Sequence, residues 1–306
     1  MRPPRGSISG VIPVVEVPFV EDEQVDHAGF QEVVGRQIAA GVDGLMFPGF
    51  ASEFHKLSAR ERRELTQSLL SSLAAVPGGP IAVVSVSDHA TNVAVREAQW
   101  AVEAGASALN VLPPFLFGPS PAAVIAHLDA VLEAVAPTPV IIQHAPAQAG
   151  GHLGPRELAE LAAKHPNLSA VKVESQPPGR LVSLLGEQQP RLESLVGYAG
   201  LHAIDALDRG AVGIQPGCSF SELYVELWRR WTGDDREGAR ELHAKMLPYL
   251  SAWMQHVELI VAVEKQISVE RGWFTHATVR TPGWTLDDRE HATIEAFLEE
   301  FGRWLT

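Results

Sequence analysis

The chain has 306 residues, of which 46% are hydrophobic and 20% charged, and its formal net charge is −13. Such a length holds one large domain or two small ones with a full core. The acidic balance excludes a nucleic-acid surface, which needs clustered basic side chains to meet phosphates; here they are scattered, and the opening RGSISG is too short for a basic arm.

Short apolar runs alternate with longer amphipathic segments. GVIPVVEVPF from Gly10 and GLMFPG from Gly44 read as strands, and SARERRELTQSLLSSLAAV from Ser58 as a helix. IAVVSV from Ile81 is the third strand, TNVAVREAQWAVEAGA a helix and ALNVLPP from Ala108 the fourth strand. SPAAVIAHLDAVLEAVA is helical and leads to PVIIQHAP from Pro139. GPRELAELAAKH carries a proline in its first turn, a common helix start. SAVKVES from Ser169, LESLVG from Leu192 and AVGIQPG from Ala211 complete eight strand candidates. After Gly217 only helical spacing remains, in SELYVELWRRW, DREGARELHAKMLPYLSAWMQHV, LIVAVEKQISVERG and DDREHATIEAFLEEFGRWL. Strands alternating with helices imply βαβ units and a parallel sheet. Eight of them predict an α/β fold of the (β/α)8 TIM-barrel type over residues 1–230, with a C-terminal helical extension over 231–306. The alternative, a doubly wound nucleotide-binding sheet, would carry a glycine-rich first turn, and VEVPFVEDE has none.

The single cysteine, Cys218, excludes an intrachain disulfide and fits a reducing cytoplasm. No apolar run reaches the ~20 residues that cross a bilayer. MRPPRGSISG has no long apolar run after its arginines, so neither a signal peptide nor a membrane partner is expected, and the location is expected to be cytoplasmic. The NLS sequon at Asn167 is then a chance match.

In a TIM barrel the chemistry sits at the C-terminal strand ends. Those ends carry Glu53 and His55, then Ser87, Asp88 and His89, then LPPFLFG, then Gln143 and His144. Lys172 and Glu174 follow, then Tyr198 and His202, and last Gln215. Lys172 is the sharpest of these. The chain has five lysines against nineteen arginines, and this one alternates with Val171 and Val173 in an apolar strand. Desolvation disfavours an ammonium, and a neutral amine attacks carbonyls to form a Schiff base. The plain reading is an ion pair with Glu174, which lies two residues on and so on the same side. A metal centre would need convergent His, Asp or Glu ligands; SDHAT and QHAP offer no H-x-H or H-E-x-x-H spacing, so no metal is expected.

At this point the chain resembles the dihydrodipicolinate synthase / N-acetylneuraminate lyase family of class I aldolases and dehydratases. AVKVES matches the family's Schiff-base lysine motif at Lys172; GFASEFHKLS resembles G-T-T-G-E-x-x-x-L-S at Gly49, Glu53, Leu57 and Ser58; VPF at Val17 resembles T-P-F; GAVGIQPG resembles G-A-x-G-x-I-S. The motifs keep their order over nearly the whole chain. The resemblance implies a barrel with a helical extension, an imine on Lys172, no cofactor, and a homo-oligomer, a tetramer or a dimer. It also marks departures. Gln143 stands where the family's relay has a tyrosine, Phe50 where it has a threonine, and Phe115 where it has a second tyrosine. Gln148 stands where dihydrodipicolinate synthase has a substrate-binding arginine. The lysine-biosynthetic reaction is therefore not expected. Gln143 is still placed among the catalytic residues, although it cannot titrate. His144, with an ordinary pKa of ~6.5, is the first candidate to move the proton. Gly49, Phe50, Ala51, Ser52, Phe115, Glu174 and Gln215 are expected to bind substrate, with the Gly49–Ser52 backbone amides on its carboxylate. Relatives with glutamine at the strand-five position include 2-keto-3-deoxy sugar-acid dehydratases, so the expected function is a dehydratase or aldolase of a small-molecule 2-oxo acid. The alternative is a catalytically silent barrel that binds a metabolite.

Overall fold

The computed structural model describes residues 8–149 and 153–305, and the side chains of Gln148 and Ala149 fall outside that set, as do the first seven residues. The elements, in chain order, begin with β1 (Gly10–Val11), α1 (His27–Ala40), β2 (Gly44–Phe47) and α2 (Ala59–Ala74). They continue with β3 (Ile81–Val86), α3 (Thr91–Glu103), β4 (Ala108–Val111), α4 (Pro121–Val135), β5 (Val140–His144), α5 (Pro146–Ala149) and α6 (Pro155–Lys164). β6 (Leu168–Val173), α7 (Pro178–Gly186), β7 (Glu193–Val196), α8 (Ala203–Asp208) and β8 (Gly213–Ile214) follow. The described chain ends in α9 (Ser221–Thr232), α10 (Arg236–Trp253), α11 (Val257–Glu270) and α12 (Asp288–Phe301). The eight strands form one sheet in the order β1-β8-β7-β6-β5-β4-β3-β2. This is the (β/α)8 barrel with a C-terminal helical extension that the alternation of strands and helices predicts. Helices α5 and α8, at four and six residues, are too short for an apolar period to register in the sequence.

Local chemistry explains the boundaries. The Ser58 hydroxyl accepts from the Glu61 amide while the Glu61 carboxylate accepts from the Ser58 amide, a reciprocal cap that starts α2. Asp26 caps α1 in the simpler way, accepting from the Gly29 amide, and Gly41 ends that helix in the left-handed region at φ 77°.

Residues Ile81–Gln215 form one of two compact units. Here β3 to β8 pair in parallel, each with the next. Ser85 lies opposite Asn110, Gln143 opposite Lys172, and Lys172 opposite Leu195. Because side chains alternate along a strand, this register groups the polar residues of four neighbouring strands on one face. On the other face Val84, Leu109, Ile142, Val171 and Val173 are all buried.

The other unit comprises Gly10–Pro80 and the chain from Pro216. Its core is aromatic. Phe297 packs on Phe220 and Trp253 with ring centroids 5.1 Å apart and on Phe301 at 4.9 Å. Tryptophan in α10 is thus core-packing, Trp253 being 1% exposed.

This unit also buries acids. Glu16 accepts a hydrogen bond from Ser268 Oγ at 2.5 Å, and Glu264 accepts one from the Cys218 amide at 3.0 Å. A methyl group on Gly217 would lie 1.9 Å from Glu264 Oε2, so glycine is what lets the carboxyl lie against this backbone. Burial pushes the Glu16 carboxyl up to about 7 and the Glu264 carboxyl up to about 8, from an ordinary 4.5. Folded, both acids keep protons that the unfolded chain releases above pH 4.5. Their contribution to stability is therefore complete below pH 4.5 and lost as pH climbs through 7 to 8. Thermal denaturation from pH 5 to pH 8 should show a falling Tm, by roughly 5 °C, and the double substitution Glu16→Gln with Glu264→Gln should flatten that slope.

Candidate active site

Lys172 lies in β6 and is 2% exposed. Its Nζ sits 3.4 Å from Glu174 Oε1, and no other partner of Nζ occurs among the described residues. Glu174 is 8% exposed and lies just past the end of β6; its amide donates to the His144 carbonyl at 2.9 Å and so carries the ladder one residue further. Its second oxygen, Oε2, accepts from Gln143 Nε2 at 2.7 Å. A carboxylate only accepts, so Gln143 must turn its amide nitrogen to Glu174 and its oxygen away. That oxygen accepts from Asn110 Nδ2 at 2.9 Å, and Asn110 Nδ2 donates also to Ser85 Oγ at 2.9 Å. A chain of directed hydrogen bonds thus crosses β3, β4, β5 and β6 and ends on the partner of the lysine. Asn110 Oδ1 is buried and has no hydrogen-bond partner among the described residues, which leaves one acceptor open to a hydroxyl or a water.

Gly197 completes this arrangement. A methyl group there would lie 2.5 Å from both Cγ and Oε1 of Glu174. The Gly197 amide donates to the Val173 carbonyl at 3.1 Å, so the glycine is held beside the carboxylate and leaves it room.

The unit's other sequence-predicted residues are placed as follows. β5 runs through His144, which lies opposite Val173, so strand alternation puts its side chain on the face away from Gln143 and Lys172. The break at HAP that would bring both side chains to one side does not occur before residue 145. Phe115, half-buried after β4, meets the His89 ring edge-on with centroids 4.6 Å apart. Gln215 is buried beyond β8 and its amide donates to the Val196 carbonyl at 2.8 Å. Tyr198 opens a 3-10 turn at Tyr198–Gly200, and burial holds His202 below the usual imidazole range. Gln148 has its side chain outside the described residues. Sequence reading passes over Ser85, Asn110 and Gly197. The available signal was the pair of amide side chains inside apolar strands, in ALNV and VIIQH, each costly unless hydrogen-bonded.

Gly49, Phe50, Ala51 and Ser52 belong to the other unit, where Phe50–Ser52 forms a 3-10 turn after β2. A methyl group on Gly49 would meet Val14 Cγ1 at 2.7 Å. The Ser52 hydroxyl accepts from the Gly49 amide at 3.0 Å and donates to the Val15 carbonyl at 2.5 Å, so it closes the turn on itself. The amides of Phe50 and Ala51 have no acceptor among the described residues. Glu53 holds the turn from below. It adopts a left-handed backbone, at φ 52° and ψ 40°, and is 1% exposed. Its carboxylate accepts from Lys265 Nζ at 2.5 Å, Lys56 Nζ at 3.0 Å and the Arg280 amide at 3.1 Å. His55 is exposed and lies 3.5 Å from Glu258.

The two buried lysines therefore differ in kind. Lys265 Nζ also donates to the Thr278 carbonyl at 2.8 Å and sits 4.1 Å above the centre of the Phe19 ring. It is fully compensated, whereas Lys172 has a single loose partner among the described residues. Among the described residues no group of three or more His, Cys, Asp or Glu side chains is arranged to hold a metal ion.

Residues 7–301 match the model of the dihydrodipicolinate synthetase family. The chain belongs to this family. A 4-hydroxy-tetrahydrodipicolinate synthase from Salinibacter ruber is 27% identical over 285 residues, covering 92% of this chain and 91% of the relative. The "Probable 2-dehydro-3-deoxy-D-pentonate aldolase YjhH" of Escherichia coli K12 is 27% identical over 244 residues, covering 78% of this chain and 79% of the relative. Among solved structures, YagE of E. coli K12, a protein of the same family in complex with pyruvate, superposes with a TM-score of 0.86 at 25% identity. That match covers 98% of this chain and 99% of YagE.

Replacing Glu53 with Ala leaves the Lys265 ammonium buried without its carboxylate, so chemical denaturation should show a loss of ~3–5 kcal/mol.

Proposed function

We propose that this member of the family is an imine-forming lyase of the aldolase or dehydratase type, acting on a 2-oxo acid such as a 2-keto-3-deoxy sugar acid through Lys172. The observation that carries the reading is the contrast between the two buried lysines. A lysine kept only for stability is held as Lys265 is held, with its donors satisfied. Lys172 is also buried, yet its single partner among the described residues stands at 3.4 Å, which leaves the amine able to attack a carbonyl. A relative solved with pyruvate and a relative named for a deoxy sugar acid support the substrate class. The open acceptor at Asn110 Oδ1 favours a substrate that carries a hydroxyl.

The chemistry follows from the amine. Addition of Nζ to the C2 carbonyl and loss of water give a cationic imine, which draws electrons from the neighbouring carbon. Breaking the bond between C3 and C4 gives aldol cleavage, and losing the C3 proton and then a hydroxyl from C4 gives dehydration. The metabolite-binding alternative has the same barrel but no covalent step.

Borohydride reduction in the presence of pyruvate should leave a reduced pyruvyl group on the Lys172 peptide by mass spectrometry, and Lys172→Ala should lose both the label and all turnover. A label that persists in Lys172→Ala would place the imine on another lysine. The position that needs a titrating hydroxyl holds Gln143, and Phe50, Phe115 and Gln148 stand at the other departures. Turnover with pyruvate and aspartate semialdehyde should therefore fall ~10²–10⁴-fold below that of a dihydrodipicolinate synthase assayed alongside.

A further inference from the structure

We infer that Glu174 is a catalytic residue, the group that accepts and returns protons at the reacting centre, and that Gln143 is its positioning residue. This rests on the imine reading given above. Imine chemistry needs four proton transfers close to Nζ: one off the ammonium, one from nitrogen to oxygen in the adduct, one onto the departing hydroxyl and one off C3. Gln143 cannot perform them, because an amide does not titrate near neutrality. His144 cannot reach, because its side chain leaves the opposite face of β5. Glu174 is the ionisable group that meets Lys172 Nζ among the described residues.

The geometry is that of a group held for use. One carboxylate oxygen is tied to Gln143 Nε2 at 2.7 Å, and the other faces the amine at 3.4 Å. Behind Gln143, the bonds through Asn110 to Ser85 fix which end of the amide faces Glu174. Gly197 leaves the space that the carboxylate occupies. A carboxylate serving only as counter-ion would be drawn to hydrogen-bond distance, as Glu53 is on Lys265 at 2.5 Å. Catalytic hydrogen bonds are often long before substrate arrives and tighten in the complex.

Glu174 takes a proton from the Lys172 ammonium, leaving a neutral amine and a carboxylic acid. The amine adds to C2 of the 2-oxo acid, and the proton shift from nitrogen to oxygen gives a neutral carbinolamine. Glu174 returns its proton to the carbinolamine hydroxyl, which leaves as water, and the nitrogen lone pair forms the cationic imine. Glu174, again a carboxylate, removes a proton from C3. The C–H electron pair becomes the C2–C3 double bond, the imine π pair moves to nitrogen, and a neutral enamine results. In water the reverse step returns a solvent-exchanged proton to C3.

Pyruvate serves as the probe, with two readouts on the same sample. Borohydride trapping after long incubation reports the imine, and loss of the methyl proton signal in D2O reports proton removal from C3. Glu174→Gln keeps the shape and the bond to Gln143, so trapping at Lys172 should persist while exchange per trapped lysine drops ~10²–10⁴-fold. Glu174→Asp, which draws the carboxylate back by one methylene, should lower exchange about tenfold or more at equal trapping. A purely structural role would lower trapping and exchange together in both variants. Exchange within threefold of wild type at equal trapping, in either variant, overturns the assignment of Glu174. Absence of trapping in the wild type overturns the imine reading itself, and with it the inference.

Discussion

An ammonium buried in a parallel sheet must be met by a carboxylate, and much of the polar architecture around Lys172 follows from that demand. The carboxylate, Glu174, must itself be buried, so its second oxygen needs a donor, and Gln143 supplies it. Gln143 then has an oxygen to satisfy, which recruits Asn110, and Asn110 recruits Ser85. Each member answers the need created by the previous one. Because a carboxylate accepts and never donates, Glu174 orients the Gln143 amide, and Asn110 Nδ2 then donates both to the Gln143 oxygen and to the Ser85 hydroxyl.

The second unit shows the same physics used for stability. Glu53 gathers two ammonium groups and a backbone amide under the turn that follows β2, and Lys265 spends its remaining contacts on a carbonyl and an aromatic face. Glu16 and Glu264 solve burial differently, by holding their protons. Among the described residues these buried groups are thus compensated, neutralised or loosely paired. Lys172 belongs to the last kind.

Glycine marks the places where these groups press on the backbone. Gly197 leaves room for Glu174 and Gly217 leaves room for Glu264. Neither needs a left-handed backbone; each is required because the carboxyl occupies the volume where a Cβ would stand. This is a side-chain constraint written into the sequence as a backbone residue, and it has no local pattern to reveal it.

The barrel was legible in the sequence because it is a matter of period. Eight apolar runs at strand length, separated by helical spacing, specify a parallel α/β sheet whatever the residues between them do. Lys172 was legible for a related reason, since a charge inside an apolar run violates the pattern around it. Its i, i+2 relation to Glu174 was legible too, because strand alternation is local. The face on which His144 points depended on whether β5 ends before or after residue 144. That is settled by its pairing with Val173 in the next strand, and not by Pro146. Ser52 stands on the turn expected to contact substrate, yet its hydroxyl is consumed by Gly49 and Val15, the second of which is 37 residues away in sequence. The bonds from Gln143 to Asn110 and Glu174 span 33 and 31 residues. Periodicity and alternation act over a few residues and can be read from the chain alone. Register, hydrogen-bond direction and the room beside a glycine exist only once distant strands are brought side by side, so those were decided by the tertiary structure.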